Sequence, residues 1–332
     1  MEQYLGLLDR VLREGTYKEN RTGVDTIAGF SHHYRIDLGA GFPLLTTKDL
    51  SGPRWNSLIH ELLWYLSGEE HIRNLREETS IWDAWADDEG HLDTAYGRFW
   101  RRFPIPSESE RLPGEAWPGE EHEFVTDEGT FDQLGHALDQ LRENPNSRRI
   151  VVSAWHPANA AVSQLPPCHY TFAFTVQDGR LNTHLTQRSA DLALGVPFNI
   201  GAYSLLTHAV AQAVGLEVGR FGHSLVDAHV YVGEGDRGSW YAENLGEFQD
   251  RLEGVETKAG YETVRAWVER ESPPEPEKGY DHVPGLLTQL SREPRDRPHI
   301  EVAEKPIDDL EFDDFRLEGY EPHPPISFAV AE

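Results

Sequence analysis

The sequence predicts an α+β fold: a single large domain over residues 1–332, built on a mixed β-sheet flanked by helices. Three observations carry this expectation. Apolar residues make up 38% and aromatics 11% of the chain, nine Trp included, enough for a substantial core. Strand-like and helix-period runs are interspersed without the regular alternation of a parallel βαβ array. There is no internal repeat that would suggest a solenoid or propeller.

Residues 2–14 carry an amphipathic helical pattern. The stretch DTIAGFSHHYRIDL (25–38) reads as strand ending in a Gly-rich turn. In WNSLIHELLWYLSG (55–68), Trp55, Leu58, Ile59, Leu62, Leu63 and Leu66 recur at helical spacing, and Gly68 supplies a stop. Residues 100–129 are rich in Pro, Gly and Glu and read as an acidic surface excursion. TFDQLGHALDQLREN (130–144) is helical, and RIVVSAW (149–155) reads as a buried-type strand. YTFAFTV and RLNTHLTQRSA flank QDG, a hairpin signal. PFNIGAYSLLTHAVAQAVG (197–215) opens on Pro, closes on Gly and is largely apolar between them, so a helix is expected. GRFGHSLVDAHVYV (219–232) is strand-like. Residues 234–285 suggest a helix around 255–270 and then a Pro/Glu-rich stretch, and LEFDDFRLEGY (310–320) reads as a strand.

The formal net charge is −27, and only five of the 30 basic residues are Lys. Residues 108–132 carry nine acidic side chains against one Arg. A strongly hydrated acidic surface suits high salt, where screening shortens self-repulsion, so a halophilic source is expected. The same charge disfavours nonspecific binding to nucleic acid and to anionic membranes. No secretory h-region and no transmembrane-length apolar run is present, which predicts a soluble, cytoplasmic protein.

Cys168, in SQLPPCHYTF, is the only cysteine, so an internal disulfide and a thiolate zinc site are both excluded. By itself a lone Cys is more often core filler than nucleophile. Pro166 and Pro167 fix the backbone approaching it, which either aims a thiol into a cleft or ends a strand. Several Arg stand beside rigid elements: Arg21 in ENRTG, Arg148 and Arg149 in NSRR, and Arg188 in TQRSAD. Each alone reads as a surface ion pair; together they suggest an anion site.

The stretches RTG, FPLLTTK, HELLWYLSG, IWDAWAD, YGRFWR, ENPNSRR, PPCH, QRSADLALGVPFNI, DAHVY, QLSREP and EGYEPHP resemble, in order, those of the folate-dependent thymidylate synthase family. The resemblance covers nearly the whole chain apart from two acidic inserts near 102–129 and 234–285. It implies a homodimer, joined through the sheet with shared active sites. It also implies conversion of dUMP to dTMP, with 5,10-methylenetetrahydrofolate as carbon and hydride donor and no metal. Carried over residue by residue, it makes Cys168 the nucleophile toward C6 of uracil, with Arg188 the cation that favours its thiolate. Arg21, Gln187, Arg188 and Ser189 would bind the nucleotide, with Arg148 and Arg149 from the other subunit. Asn199 would read the pyrimidine edge, and His229 and Tyr231 the deoxyribose hydroxyl. Glu61 would relay protons, and Tyr96 would assist loss of the C5 proton. Trp82, Trp85, Leu165, Asp191, Leu194, Gly195 and Phe198 would line the folate side, with Asp191 also counted among the substrate and catalytic residues. Asp49 stands where the family usually has a basic residue, and the chain ends on Glu332 rather than an apolar residue.

Three other readings compete. A pyrimidine hydroxymethylase on the same scaffold would add water in place of hydride; Asn199 favours a uracil nucleotide, since a cytosine-specific member is expected to carry Asp there. A cysteine hydrolase would pair Cys168 with His169, yet neighbours on a strand point to opposite faces. A noncatalytic nucleotide- or RNA-binding protein fits poorly with Cys168, Glu61 and Tyr96 together and with the −27 charge.

Overall fold

The computed structural model describes residues 1–20, 22–93, 96–274 and 279–330. In chain order the strands are β1 (Thr16–Lys18), β2 (Val24–Asp37), β3 (Phe103–Pro104), β4 (Thr130–Phe131), β5 (Val151–Ser153), β6 (His169–Gln177), β7 (Arg180–Gln187), β8 (Ala190–Asp191), β9 (Glu217–Glu234), β10 (His299–Val302) and β11 (Phe315–Glu318). The helices are α1 (Glu2–Glu14), α2 (Pro53–Ser67), α3 (Tyr96–Arg101), α4 (Gln133–Glu143), α5 (Pro157–Ala160), α6 (Gly195–Val214), α7 (Asp236–Glu253), α8 (Lys258–Glu271) and α9 (Val283–Ser291). The expected α+β class is what is observed.

Among the described residues, seven strands form one sheet in the order β1-β2-β9-β7-β6-β5, with β8 also pairing β9. The β7–β9 and β8–β9 pairs are parallel and the others antiparallel, so the sheet is mixed. Its centre is the long pairing of β2 with β9, which runs from Val24 opposite Glu234 to Asp37 opposite Arg220. The QDG signal is the β6–β7 hairpin. Asp178 and Gly179 both take positive φ, 52° and 73°, as a two-residue primed turn requires, and this sets Gln177 opposite Arg180.

α6 is buried nearly all round, with Leu205, Leu206, Ala209 and Val210 fully enclosed, and it packs on both β7 and β9. α2 runs from Pro53 to a left-handed cap at Gly68 (φ 72°), as its sequence foretold. α3 lies so close to α2 that a Cβ on Gly97 would sit 2.3 Å from the Tyr65 carbonyl oxygen. That approach sets the position of the neighbouring Tyr96.

Some expectations need correction. β5 is an edge strand, not a buried one: Val152 is enclosed while Val151 is 51% exposed. Only Phe315–Glu318 of the 310–320 run is extended, after a 3₁₀ turn at Phe312–Asp314. Residues 234–285 hold α7 as well as α8. Tyr241, Phe248 and Leu252 of α7 and Val264, Trp267 and Val268 of α8 are buried in the core. Large apolar side chains stay exposed on the sheet, Phe30 at 82% and Val226 at 40%. No helix among the described residues is long and apolar enough to cross a membrane.

Gly97→Ala will push α3 off α2, because the clash is with backbone rather than a movable side-chain end. A loss of about 1–3 kcal/mol is expected from such overpacking. Urea unfolding checks it; an unchanged midpoint would show that the two helices separate freely.

Candidate active site

The hairpin register places His169 opposite Gln187, and so brings the next residue, Arg188, alongside Cys168. Both backbone polar groups of Cys168 are bonded there. Its N–H donates to the Tyr96 hydroxyl (2.8 Å), and its carbonyl accepts from the Arg188 N–H (2.8 Å). The Arg188 guanidinium reaches back to the turn that precedes the cysteine. Nε donates to the Pro167 carbonyl (3.0 Å) and Nη2 to the Pro166 carbonyl (2.7 Å). It also lies 5.9 Å from the centre of the Trp155 ring. Two prolines that cannot donate thus become the acceptors of a cationic clamp, and the Cys168 that follows them is half-buried.

Tyr96 is buried, and its ring stacks on His169 at 4.0 Å and 13°. Burial and the adjoining Cys168 hold its hydroxyl well above its ordinary pKa, against the pull of Arg188. His169 is enclosed, its Nδ1 bonded to the Tyr203 hydroxyl at 2.8 Å, and burial lowers its pKa to about 3. Its imidazole is therefore committed as a neutral structural group, and the Cys168–His169 hydrolase pairing loses its base.

Glu61 lies on α2. One oxygen, Oε1, accepts from both Trp82 Nε1 (2.8 Å) and the Tyr65 hydroxyl (3.0 Å). Burial raises its pKa above the usual carboxylate value even against those two hydrogen bonds. Tyr65 in turn lies 5.4 Å from the Tyr96 ring and Trp82 5.7 Å from it, so Glu61 and Cys168 are joined through one aromatic cluster.

Asn199, in the second turn of α6, is half-buried; its Oδ1 accepts from Gln187 Nε2 at 3.0 Å. Gln187 Oε1 meets His223 Nε2 at 2.9 Å, and His223 Nδ1 meets the Tyr34 hydroxyl at 2.6 Å. His223 is wholly enclosed, and burial first, then neighbouring histidines, lower its pKa to about 3.

A cavity of about 220 Å³ is lined by Lys18, Glu19, Asn20, Thr26, Arg188, Ser189, Asp227 and His229. Arg188 thus spans from the cysteine turn to a polar pocket. Lys18 pairs with Asp227, which also meets His229 Nδ1 at 3.0 Å; those contacts hold Asp227 down to about 2. Tyr231 stands edge-on to His229 at 5.3 Å. Arg21 lies outside the described residues, as does Glu332. Arg148 and Arg149 are exposed, and neither lines this cavity.

Of the residues expected to line a folate, Trp82 and Trp85 touch edge-on at 5.7 Å and 66° around a short 3₁₀ turn, so they form a corner rather than one flat face. Trp85, Leu165 and Phe198 pack partly buried against the core, and Leu194 and Gly195 are half-buried at the start of α6. Asp191 Oδ1 accepts from the Ala193 N–H at 2.8 Å, which shapes that entry.

A family model described as thymidylate synthase matches residues 2–332. The curated thymidylate synthase of Haloferax volcanii is 64% identical over 328 residues, 98% of this chain and 95% of that relative. The chain belongs to the thymidylate synthase family. The relative's source, a halophile, accords with the −27 charge.

Several polar groups that pack around the motif residues were not among the sequence expectations. Tyr34 and His223 were missed, although each is a polar residue at an inward position of an otherwise apolar strand face. Lys18 and Asp227 were missed in the polar cavity, and Trp155 beneath Arg188. Lys48, buried against the Ala193 carbonyl and lowered to about 7 by that burial, was read only as part of a motif.

Glu61→Gln keeps an oxygen for both donors and removes the buried charge. The wild-type carboxyl binds its proton more tightly folded than unfolded, so its stability contribution falls as pH rises above about 4.5. The variant is expected to be at least as stable as the wild type at pH 7–8, with its advantage shrinking toward pH 5, while turnover drops. Thermal melts against pH check this; a variant less stable at pH 8 than at pH 5.5, relative to wild type, contradicts the buried-charge account.

Proposed function

We propose that Cys168 is the nucleophile in the reductive methylation of dUMP to dTMP, the reaction of the thymidylate synthase family. The observation that carries this is the fixation of Cys168 by Tyr96 and Arg188 on both backbone sides. Methylenetetrahydrofolate supplies the one-carbon unit and the hydride, and leaves as dihydrofolate. C5 of uracil is a poor nucleophile until the thiolate adds at C6, which moves electron density onto C5 and O4. Arg188 favours the thiolate, and the polar cavity that it shares with Ser189 and His229 takes the nucleotide's phosphate and sugar. Arg21 and Gln187 join the nucleotide-binding set, and Tyr231 supports the sugar contact. Asn199 donates to O4 and accepts from N3–H. Glu61, its pKa raised by burial, holds and returns a proton at O4 through ordered water. Tyr96, hydrogen-bonded at Cys168, assists the loss of the C5 proton. Trp82, Trp85, Leu165, Leu194, Gly195 and Phe198 receive the folate, with Asp191 holding the α6 entry.

We read residues 1–332 as one catalytic domain, with the acidic segments 102–129 and 234–285 as additions to it. The active unit is a homodimer. Exposed Phe30 and Val226 on the sheet suit a second copy. Arg148 and Arg149, exposed and remote from their own cavity, suit the partner's phosphate. The enzyme works in the cytoplasm, where a free thiol stays reduced.

Two inactive parents test this reading together. Cys168→Ser and Arg149→Ala are each expected to lose nearly all turnover of dUMP with methylenetetrahydrofolate, read as dihydrofolate absorbance. Dissociated, mixed and reassociated, they form heterodimers in which one of the two sites keeps both residues intact, so activity returns. Full turnover by Cys168→Ser would overturn the nucleophile; no recovery in proven heterodimers would overturn the shared site.

A further inference from the structure

An asparagine amide reads uracil only in one of its two orientations. With Nδ2 toward O4 and Oδ1 toward N3–H it matches uracil; turned over, it matches the N4 amine and bare N3 of cytosine equally well. Asn199 alone therefore does not explain selectivity for uracil. Something must prevent the amide from turning.

We propose that Tyr34 and His223 are positioning residues that lock the Asn199 amide in its uracil-reading orientation, through Gln187. The inference rests on the reading of Asn199 as the pyrimidine-edge residue. Tyr34 and His223 are direct cross-strand partners on β2 and β9, and Gln187 closes the neighbouring β7 strand. Among the described residues the buried Tyr34 hydroxyl has a single hydrogen-bond partner, His223 Nδ1. If it accepted from Nδ1–H, its own proton would be enclosed without an acceptor, a costly arrangement. It therefore donates, and Nδ1 of the neutral ring accepts. The ring proton must then sit on Nε2, which donates to Gln187 Oε1. With its oxygen so engaged, Gln187 presents Nε2–H, and Asn199 must answer with Oδ1. Its Nδ2 is left to face O4, and the second lone pair of Oδ1 faces N3–H.

One proton on Tyr34 thus fixes a tautomer and two amides in sequence. Without that hydroxyl, the Nδ1–H tautomer of His223 loses its penalty. Gln187 and Asn199 can then turn together, and every hydrogen bond between them is kept with donor and acceptor exchanged. The turned Asn199 accepts from N4 and donates to N3 of cytosine. This is a specificity device separate from the groups that touch the reacting carbons.

Tyr34→Phe removes one oxygen at a site where the ring itself still packs. The expected result is a fall of about tenfold or more in the preference for dUMP over dCMP, as the ratio of kcat/KM values, with much smaller loss for dUMP itself. Nitrogen-15 spectra of the His223 ring, assigned by its loss in His223→Gln, should show Nε2–H alone in wild type and both tautomers in Tyr34→Phe. Asn199→Asp serves as the reference, since a carboxyl at that position should favour dCMP directly. A shift in Asn199→Asp with none in Tyr34→Phe would overturn the lock and leave the Asn199 reading standing. No shift in Asn199→Asp would overturn both. An Nδ1–H tautomer in wild type would overturn the lock irrespective of kinetics.

Discussion

Everything at this site depends on the immobility of one peptide segment. Cys168 follows two prolines that bring no N–H of their own, so the segment leading to it can only be held through its carbonyls. Arg188 holds both of them, and its own N–H takes the carbonyl of Cys168. The remaining donor, the Cys168 N–H, goes to Tyr96. A side chain on a segment fixed this way needs little reorganisation before it reacts. The two residues that fix it are also the ones proposed above for the chemistry, Arg188 as the cation for the thiolate and Tyr96 at the loss of the C5 proton.

That economy answers an electrostatic difficulty. A chain of net charge −27 must admit a dianionic nucleotide. Its 30 basic residues cannot offset 57 acidic ones overall, so positive charge has to be local. Arg188 reaches from the cysteine turn into a polar cavity where Lys18 and His229 also lie, and the Lys18 charge there is already matched by Asp227. The exposed Arg148 and Arg149 are the cations proposed above to come from a second copy.

Local sequence announced most of the fold because most of its devices are local. The α2 periodicity ending at Gly68, the Asp178-Gly179 turn and the apolar α6 closed by Gly215 each carry their signal within a few residues. β5 was misread as buried because a run of Val and Ile does not say whether its strand lies at the centre or the edge of a sheet. α7 was missed because Gly238, Gly246 and many charges dilute a helical stripe that only its packing on α1 and β9 makes visible. At the site, chemistry-bearing residues stood in recognisable motifs. Their supports did not, since the Tyr34–His223 pair is a product of β2–β9 register, a long-range fact. Likewise the sequence motif containing Arg188 does not announce its clamp on Pro166 and Pro167, which requires the hairpin in three dimensions.

The central claim is covalent: the Cys168 sulfur bonds to C6 of the uracil ring. Fluorine at C5 takes the place of the proton that must be lost, so a 5-fluoro substrate should stall with that bond in place. Intact mass spectrometry of the denatured protein after incubation with 5-fluoro-dUMP and methylenetetrahydrofolate tests this directly. The account predicts a mass gain of one nucleotide and one folate per modified chain, located on the peptide that carries Cys168 and absent from Cys168→Ser. An unchanged mass, or a label on a peptide without Cys168, would contradict it.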